Sequence, residues 1–288
     1  MKMRMAICNE MFVDRSLDRA FATARECGYT GIEIAPFTLS DDEPHHVSGI
    51  GNARRSEVRR AAQQAGLDVI GLHWLLAKTQ GLHLTSPDSE VRRRTADYVC
   101  QLARLCRDLG GRIMVFGSPA QRNLADGITH EAGMAFAADV LCSAMPTCEQ
   151  QDVVIAVEPL GPAEGNFLLT AESGIELVKR VDSPHCRLHL DCKAMSTESR
   201  TVAEVIRGSR DWMVHFHAND PNLLGPGMGD LDFHPIFEAL RDIDYRGWIS
   251  VEVFDYAPGP DKIARDSMSY LQSVLADLQR DGPQTNKS

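Results

Sequence analysis

The stretch DVVIAVEPL, Asp152–Leu160, decides how this chain folds. Val153, Ile155 and Val157 share one face of an extended segment, and Val154, Ala156 and Glu158 share the other, because side chains alternate along a strand. Three later runs follow the same rule. CRLHLD, from Cys186, sets Leu188 and Leu190 against His189 and Asp191. WMVHFHAND, from Trp212, sets Val214 and Phe216 against His215 and His217. GWISVEVF, from Gly247, sets Ile249, Val251 and Val253 against Ser250 and Glu252. The branched and aromatic face suits packing under helices, and the polar face suits the inside of a barrel.

Four strand-like runs precede these: RMAIC from Arg4, GIEIAP from Gly31, DVIGLHW from Asp68 and RIMVFG from Arg112. Amphipathic segments separate the eight: Leu17–Cys27, Ser56–Ala65, Val91–Leu109, Glu131–Cys148, Thr170–Val181, Val202–Arg207, Pro235–Arg241 and Pro260–Leu278. Gly28, Gly66, Gly110 and Gly111 stand where helices end before the next strand, as helix C-termini favour. Eight β-then-α units predict an α/β chain forming a single (β/α)₈ TIM barrel over residues 1–280. A doubly wound sheet is the alternative, but CNEMFVDRS, Cys8–Ser16, lacks its Gly-rich phosphate turn. No linker divides the chain. A polar tail, Asp281–Ser288, is expected to fray, with Asp41–Gly51 and Leu223–Asp230 as exposed loops.

Composition agrees with one enzyme-sized domain. The 288 residues are 43% hydrophobic and 24% charged, which argues against a disordered chain or a fibre. With 30 Lys+Arg against 40 Asp+Glu, the net charge is −10, which disfavours nucleic acid and anionic membrane as partners. No apolar run approaches the roughly 18 residues a membrane span needs. Lys2, Arg4 and Glu10 interrupt the N-terminus, so no signal peptide is expected. The eight cysteines are scattered with no CxxC pair, and read as reduced thiols of a cytoplasmic protein.

Placed inward, Glu158, Asp191, His217 and Glu252 close four consecutive strands at their C-terminal ends, where barrel enzymes carry their active sites. Singly, each has an ordinary structural explanation. Together, three carboxylates and an imidazole near one axis are expensive to bury without a cation. The mostly oxygen donor set suits one divalent ion, Mn²⁺ first, with Mg²⁺, Co²⁺ or Zn²⁺ as alternatives.

The order VEPL (157–160), LHLD (188–191), HFHAND (215–220), GPGMGDLDF (225–233) and GWISVEV (247–253) resembles the xylose isomerase-like sugar isomerase/epimerase superfamily, most of all its D-tagatose and D-psicose 3-epimerases. The resemblance implies that Glu158, Asp191, His217 and Glu252 bind one metal ion and that Glu158 and Glu252 are the acid and base. It also implies substrate contact by Glu164, within Glu158-Pro159-Leu160, Glu164, Asn166-Phe167-Leu168 and Thr170. Two positions depart from the pattern. Ala194 stands where the epimerases have His, and Leu223 where they have Arg. Lys193, Arg122 or His73 are the candidates to take over the lost substrate contacts.

Other residues divide between chemistry and support. His73-Trp74 can meet a sugar hydroxyl and a sugar face, or simply pack. Glu33, His189 and His215 read as support for the metal ligands. Arg122 reads by default as an exposed loop residue, Gly225–Gly229 as a flexible loop, and Arg92–Arg94 as a solvated face. The expected reaction is abstraction of a proton beside a carbonyl through an enediolate, giving a sugar or polyol epimerase or isomerase of carbohydrate metabolism. An inosose-type dehydratase uses the same first step, and a barrel that binds sugar or a partner without catalysis is the remaining alternative. An AP endonuclease-like repair protein is disfavoured by Ala194, Phe233 and the acidic charge. The sequence leaves homo-oligomerisation open.

Overall fold

The computed structural model describes residues 3–40 and 45–280. Asp281–Ser288 and residues 41–44 of the Asp41–Gly51 loop lie outside them. Eight parallel strands close into a barrel in sequence order: β1 (Arg4–Cys8), β2 (Gly31–Ile34), β3 (Asp68–Leu72), β4 (Ile113–Phe116), β5 (Val154–Val157), β6 (Cys186–Asp191), β7 (Met213–Ala218) and β8 (Trp248–Val251). The helices between and after them are α1 (Leu17–Glu26), α2 (Asn52–Ala65), α3 (Ser89–Leu109), α4 (His130–Gln151), α5 (Ala171–Val181), α6 (Cys192–Met195), α7 (Val202–Gly208), α8 (His234–Asp242) and α9 (Pro260–Arg280). All eight predicted strands are found. α6 has no counterpart in the hydrophobic pattern because it is one turn long, started by the Asp191 carboxylate accepting the Ala194 N–H at 2.8 Å.

Helix boundaries follow local chemistry. Ser16 and Thr129 cap α1 and α4, and Thr170 and Thr201 form capping boxes for α5 and α7. α2 begins at Asn52, earlier than the apolar spacing suggests, after Gly51. α4 contains Pro146, runs past its expected end at Cys148 to Gln151, and is capped by Asp152, which adopts φ 53°. Closure of the sheet demands one bare backbone. A Cβ on Gly71 would lie 2.1 Å from the Ile113 carbonyl oxygen, where β3 and β4 pair.

The core is a ring between strands and helices. Ile155, Leu188, Phe216 and Ile249 are completely buried in it, each contributing about 1.5–3 kcal/mol relative to an exposed side chain. The strands' other faces meet inside the barrel, and parallel register sets their heights. His189 pairs with His215 and Asp191 with His217; His217 stands beside Ser250; Phe116 stands beside Val157. Glu158 therefore emerges next to Gly117, and Glu252 emerges two residues beyond Ser250, at the same barrel end.

The Gly225–Gly229 segment is packed rather than loose. A Cβ on Gly225 would strike Ser267 Oγ at 2.0 Å, and one on Gly227 would strike Tyr270. Asp220 Oδ2 accepts the Leu231 N–H at 2.9 Å, closing the segment at its base.

Candidate active site

Glu158, Asp191, His217 and Glu252 are all buried at the C-terminal end of the barrel. Donor atoms of Glu158, Asp191 and His217, together with His189, lie within 4.8 Å of one another. Glu252 joins through His217, whose Nδ1 is 2.9 Å from Glu252 Oε2. It also falls in a neighbouring group with Cys8, Glu10 and His73. The four residues singled out by alternation are thus brought together, with His189 and Glu10 added to their surroundings.

Each carboxylate is placed by residues of neighbouring elements. The Asp191 Oδ1 caps α6, and Oδ2 accepts from Asn219 Nδ2. Asn219 Oδ1 in turn accepts the Lys193 N–H at 2.8 Å. Trp74 Nε1 donates to Glu252 Oε1 at 2.8 Å, from a backbone at φ 51° that a tryptophan rarely adopts. Glu158 has its place only because residue 117 is glycine: a Cβ there would lie 2.1 Å from Glu158 Oε2. Below them, Glu33 Oε2 faces His215 Nε2 at 2.8 Å and His217 Nε2 at 3.2 Å.

The electrostatics show an acidic centre short of positive charge. Burial, then the charges of Glu252 and Asp191, push the Glu158 carboxyl well above the usual range. Burial also raises Asp191, although Lys193 opposes it. Burial pushes Glu252 the same way, but the charge and hydrogen bond of His217 outweigh it and leave Glu252 low. His189 is driven well down by burial and then by the neighbouring imidazoles, and both its ring nitrogens are buried without a hydrogen-bond partner among the described residues. Three mutually repelling carboxylates beside imidazole nitrogens fit a hard divalent cation, which would relieve that repulsion.

A narrow cleft of about 60 Å³ opens over this centre, lined in part by His73, Trp74, Glu158, Glu164, Glu252 and Phe254. A larger cavity of about 410 Å³ at the N-terminal end of the barrel, lined by Arg4, Asp68, Arg112 and Trp248, lacks the buried, converging carboxylates. The cleft over the carboxylates is therefore the candidate active site.

The predicted substrate-binding residues separate. Glu164 lines the cleft and its Oε1 accepts from Lys193 Nζ at 2.6 Å. His73 also lines it, but its Nε2 is engaged by Glu10 Oε2 at 2.7 Å. Arg122 is not the exposed loop residue expected by default: it is 1% exposed. Its Nη1 donates to the backbone carbonyls of Phe116 and Glu158, and burial lowers its pKa to about 10. Leu223 is 42% exposed, while its carbonyl accepts the N–H groups of Phe254 and Asp255. Asn219 and Phe254 were not singled out from the sequence but were legible in it, since each follows a predicted ligand by two residues. Glu10 was not, because it lies in a short helical turn beyond β1.

The profile of the xylose isomerase-like TIM barrel family matches residues 21–274. A probable ketose 3-epimerase from Synechocystis sp. is 24% identical over 279 residues, covering 88% of this chain and 89% of that protein. A D-psicose 3-epimerase from Agrobacterium fabrum is 26% identical over 233 residues, covering 76% and 75%. The solved structure of a 3-keto-D-glucoside 4-epimerase from E. coli superposes with a TM-score of 0.81 at 22% identity, covering 94% of this chain and 100% of that one. That likeness establishes the shared fold.

Proposed function

The chain belongs to the xylose isomerase-like TIM barrel family, and from that premise we propose that it is a metal-dependent epimerase of a sugar or sugar derivative, working by proton abstraction beside a carbonyl. One observation carries the reading. Glu158 and Glu252, from the ends of β5 and β8, line one cleft together. A planar enediolate held between them presents one face to each carboxylate. One Glu takes the proton, the other returns one to the opposite face, and the configuration at that carbon inverts. The sugar epimerases among the relatives support this choice over a binding-only barrel.

Glu158, Asp191, His217 and Glu252 would hold the cation. When bound, it supplies Lewis-acid stabilisation to the oxygen that becomes negative as the proton leaves. His217 is oriented by Glu33 and Glu252. Asn219 fixes Asp191, and Trp74 fixes Glu252, so the carboxylates meet substrate without reorganising. Trp74 and Phe254 offer aromatic faces to the sugar's C–H surface. Ketoses and 3-keto glycosides are the substrate classes to test first, because the relatives include epimerases of both kinds.

The test is turnover of these sugars in D₂O by the Mn²⁺-loaded protein. Two-base epimerisation places deuterium almost fully at the inverted carbon. Inversion without deuterium would overturn the mechanism, and formation of a deoxy or unsaturated product would assign a dehydratase instead. Glu158→Gln and Glu252→Gln then assign the roles. The variant that blocks exchange has lost the residue that removes the proton, and the one that exchanges without inversion has lost the residue that returns it.

A further inference from the structure

We propose that Lys193 is a catalytic residue of this site, donating a hydrogen bond to the substrate oxygen that becomes negative when the proton leaves. This rests on the epimerase reading and gives the Lys193 ammonium a role beside the carboxylates and imidazoles of the centre.

Placement is the first argument. Lys193 lies two residues after Asp191, in α6, with its backbone N–H fixed by Asn219. Its side chain packs behind the cleft against Glu164 and Phe254 instead of reaching solvent, and the residue is 8% exposed. The ammonium stands 2.6 Å from Glu164 Oε1 and 3.9 Å from the centre of the Phe254 ring. Both of those residues line the cleft with Glu158 and Glu252.

Donor capacity is the second. An ammonium has three N–H donors and is strongly hydrated when free. Glu164 accepts one, and the Phe254 ring face takes up part of the charge. The remaining capacity serves an oxygen in the cleft. The fields of Asp191, Glu164 and Glu158 favour the charged form of Lys193, and Glu164 Oε1 is in direct contact with the ammonium.

Electron flow uses this charge without any added reactant. The C–H pair becomes the new C–C π bond as a Glu carboxylate takes the proton. The carbonyl π pair moves onto oxygen, and the Lys193 N–H stabilises it. Return of that pair and protonation by the other Glu restore the carbonyl. Nothing is oxidised or reduced, and Lys193 stays protonated throughout. A simple tether between α6 and the Glu164 segment is the competing role, and it makes different demands.

Wild-type protein is first assayed for exchange of carbon-bound hydrogen in D₂O. If it exchanges with none of the sugars tested, the epimerase reading falls and this role with it. If it exchanges, Lys193→Met is compared under the same metal loading. We expect kcat to fall by about 100-fold, the loss typical of one preorganised donor to a developing oxyanion. KM should move far less, and metal content should not change. In Lys193→Ala, added ethylammonium should restore turnover saturably, and Lys193→Arg should retain more activity than either. Undiminished kcat in Lys193→Met overturns the proposal while leaving the epimerase standing. So does an Ala variant deaf to the amine whose loss equals that of Glu164→Gln and is not additive with it, since that is how a tether behaves.

Discussion

Asn219 shows how much at this site depends on one side chain. It donates to Asp191 with its nitrogen and accepts the Lys193 N–H with its oxygen, so Asn219→Ala frees both. Loss of such a partner typically costs 10–100-fold in metal affinity or activity. We expect about that loss in Mn²⁺ affinity by calorimetric titration, with secondary structure unchanged; an unaltered affinity would remove Asn219 from the centre. His217→Ala should go further and abolish tight binding, since His217 also joins Glu252 to the other carboxylates. Elemental analysis finding the same metal content in that variant would remove the proposed ligand set. At this scale the sequence reaches far but not all the way. Alternation placed Glu158, Asp191, His217 and Glu252 on inward faces. It did not show Glu10 held against His73, or Arg122 folded under Glu158 with Nε and Nη2 lacking a hydrogen-bond partner among the described residues.

Elements are joined by backbone contacts that hydropathy does not record. β3 and β4 approach so closely at Gly71 and Ile113 that an alanine methyl cannot fit against the carbonyl oxygen. Gly71→Ala should destabilise the barrel by about 1–3 kcal/mol, the usual penalty for overpacking. Chemical denaturation checks this through the midpoint, and an unchanged midpoint would show that the strands part at no cost. Strand positions were readable because period-two alternation and the following amphipathic helices are both local signals. Boundaries were less so. α6 forms because the Asp191 carboxylate is free to cap it, and the 225–229 segment is closed by α9 residues about 40 positions away in sequence.

For the molecule as a whole, the acidic centre couples metal to stability. Without a cation, Glu158 is buried against the charges of Glu252 and Asp191, and Asp191 against that of Glu252. A chelator should therefore lower the melting temperature, and Mn²⁺ at about 100 times its Kd should restore about 2.7 kcal/mol. For a chain of this size that is a shift of about 4–5 °C; identical melting with and without chelator would argue against a built site. Limited proteolysis should spare the 225–229 segment, packed as it is on α9, and release no two stable fragments of similar size; two such fragments would refute the single unit proposed for residues 1–280.

The sequence by itself determined that eight strand–helix units would alternate, which residues of each strand share a face, and that acids and an imidazole would sit at the ends of the last four. Those properties follow from neighbours one to four positions apart. Only the tertiary structure decided which inward residues meet. Barrel closure and register set the height of His217 against Asp191 and bring Glu252 to His217, and they carry Trp74 from β3 across to Glu252. They also fold Lys193 back against Glu164 and Phe254. Distances between residues remote in the chain are fixed by packing the whole barrel at once, so no local pattern encodes them.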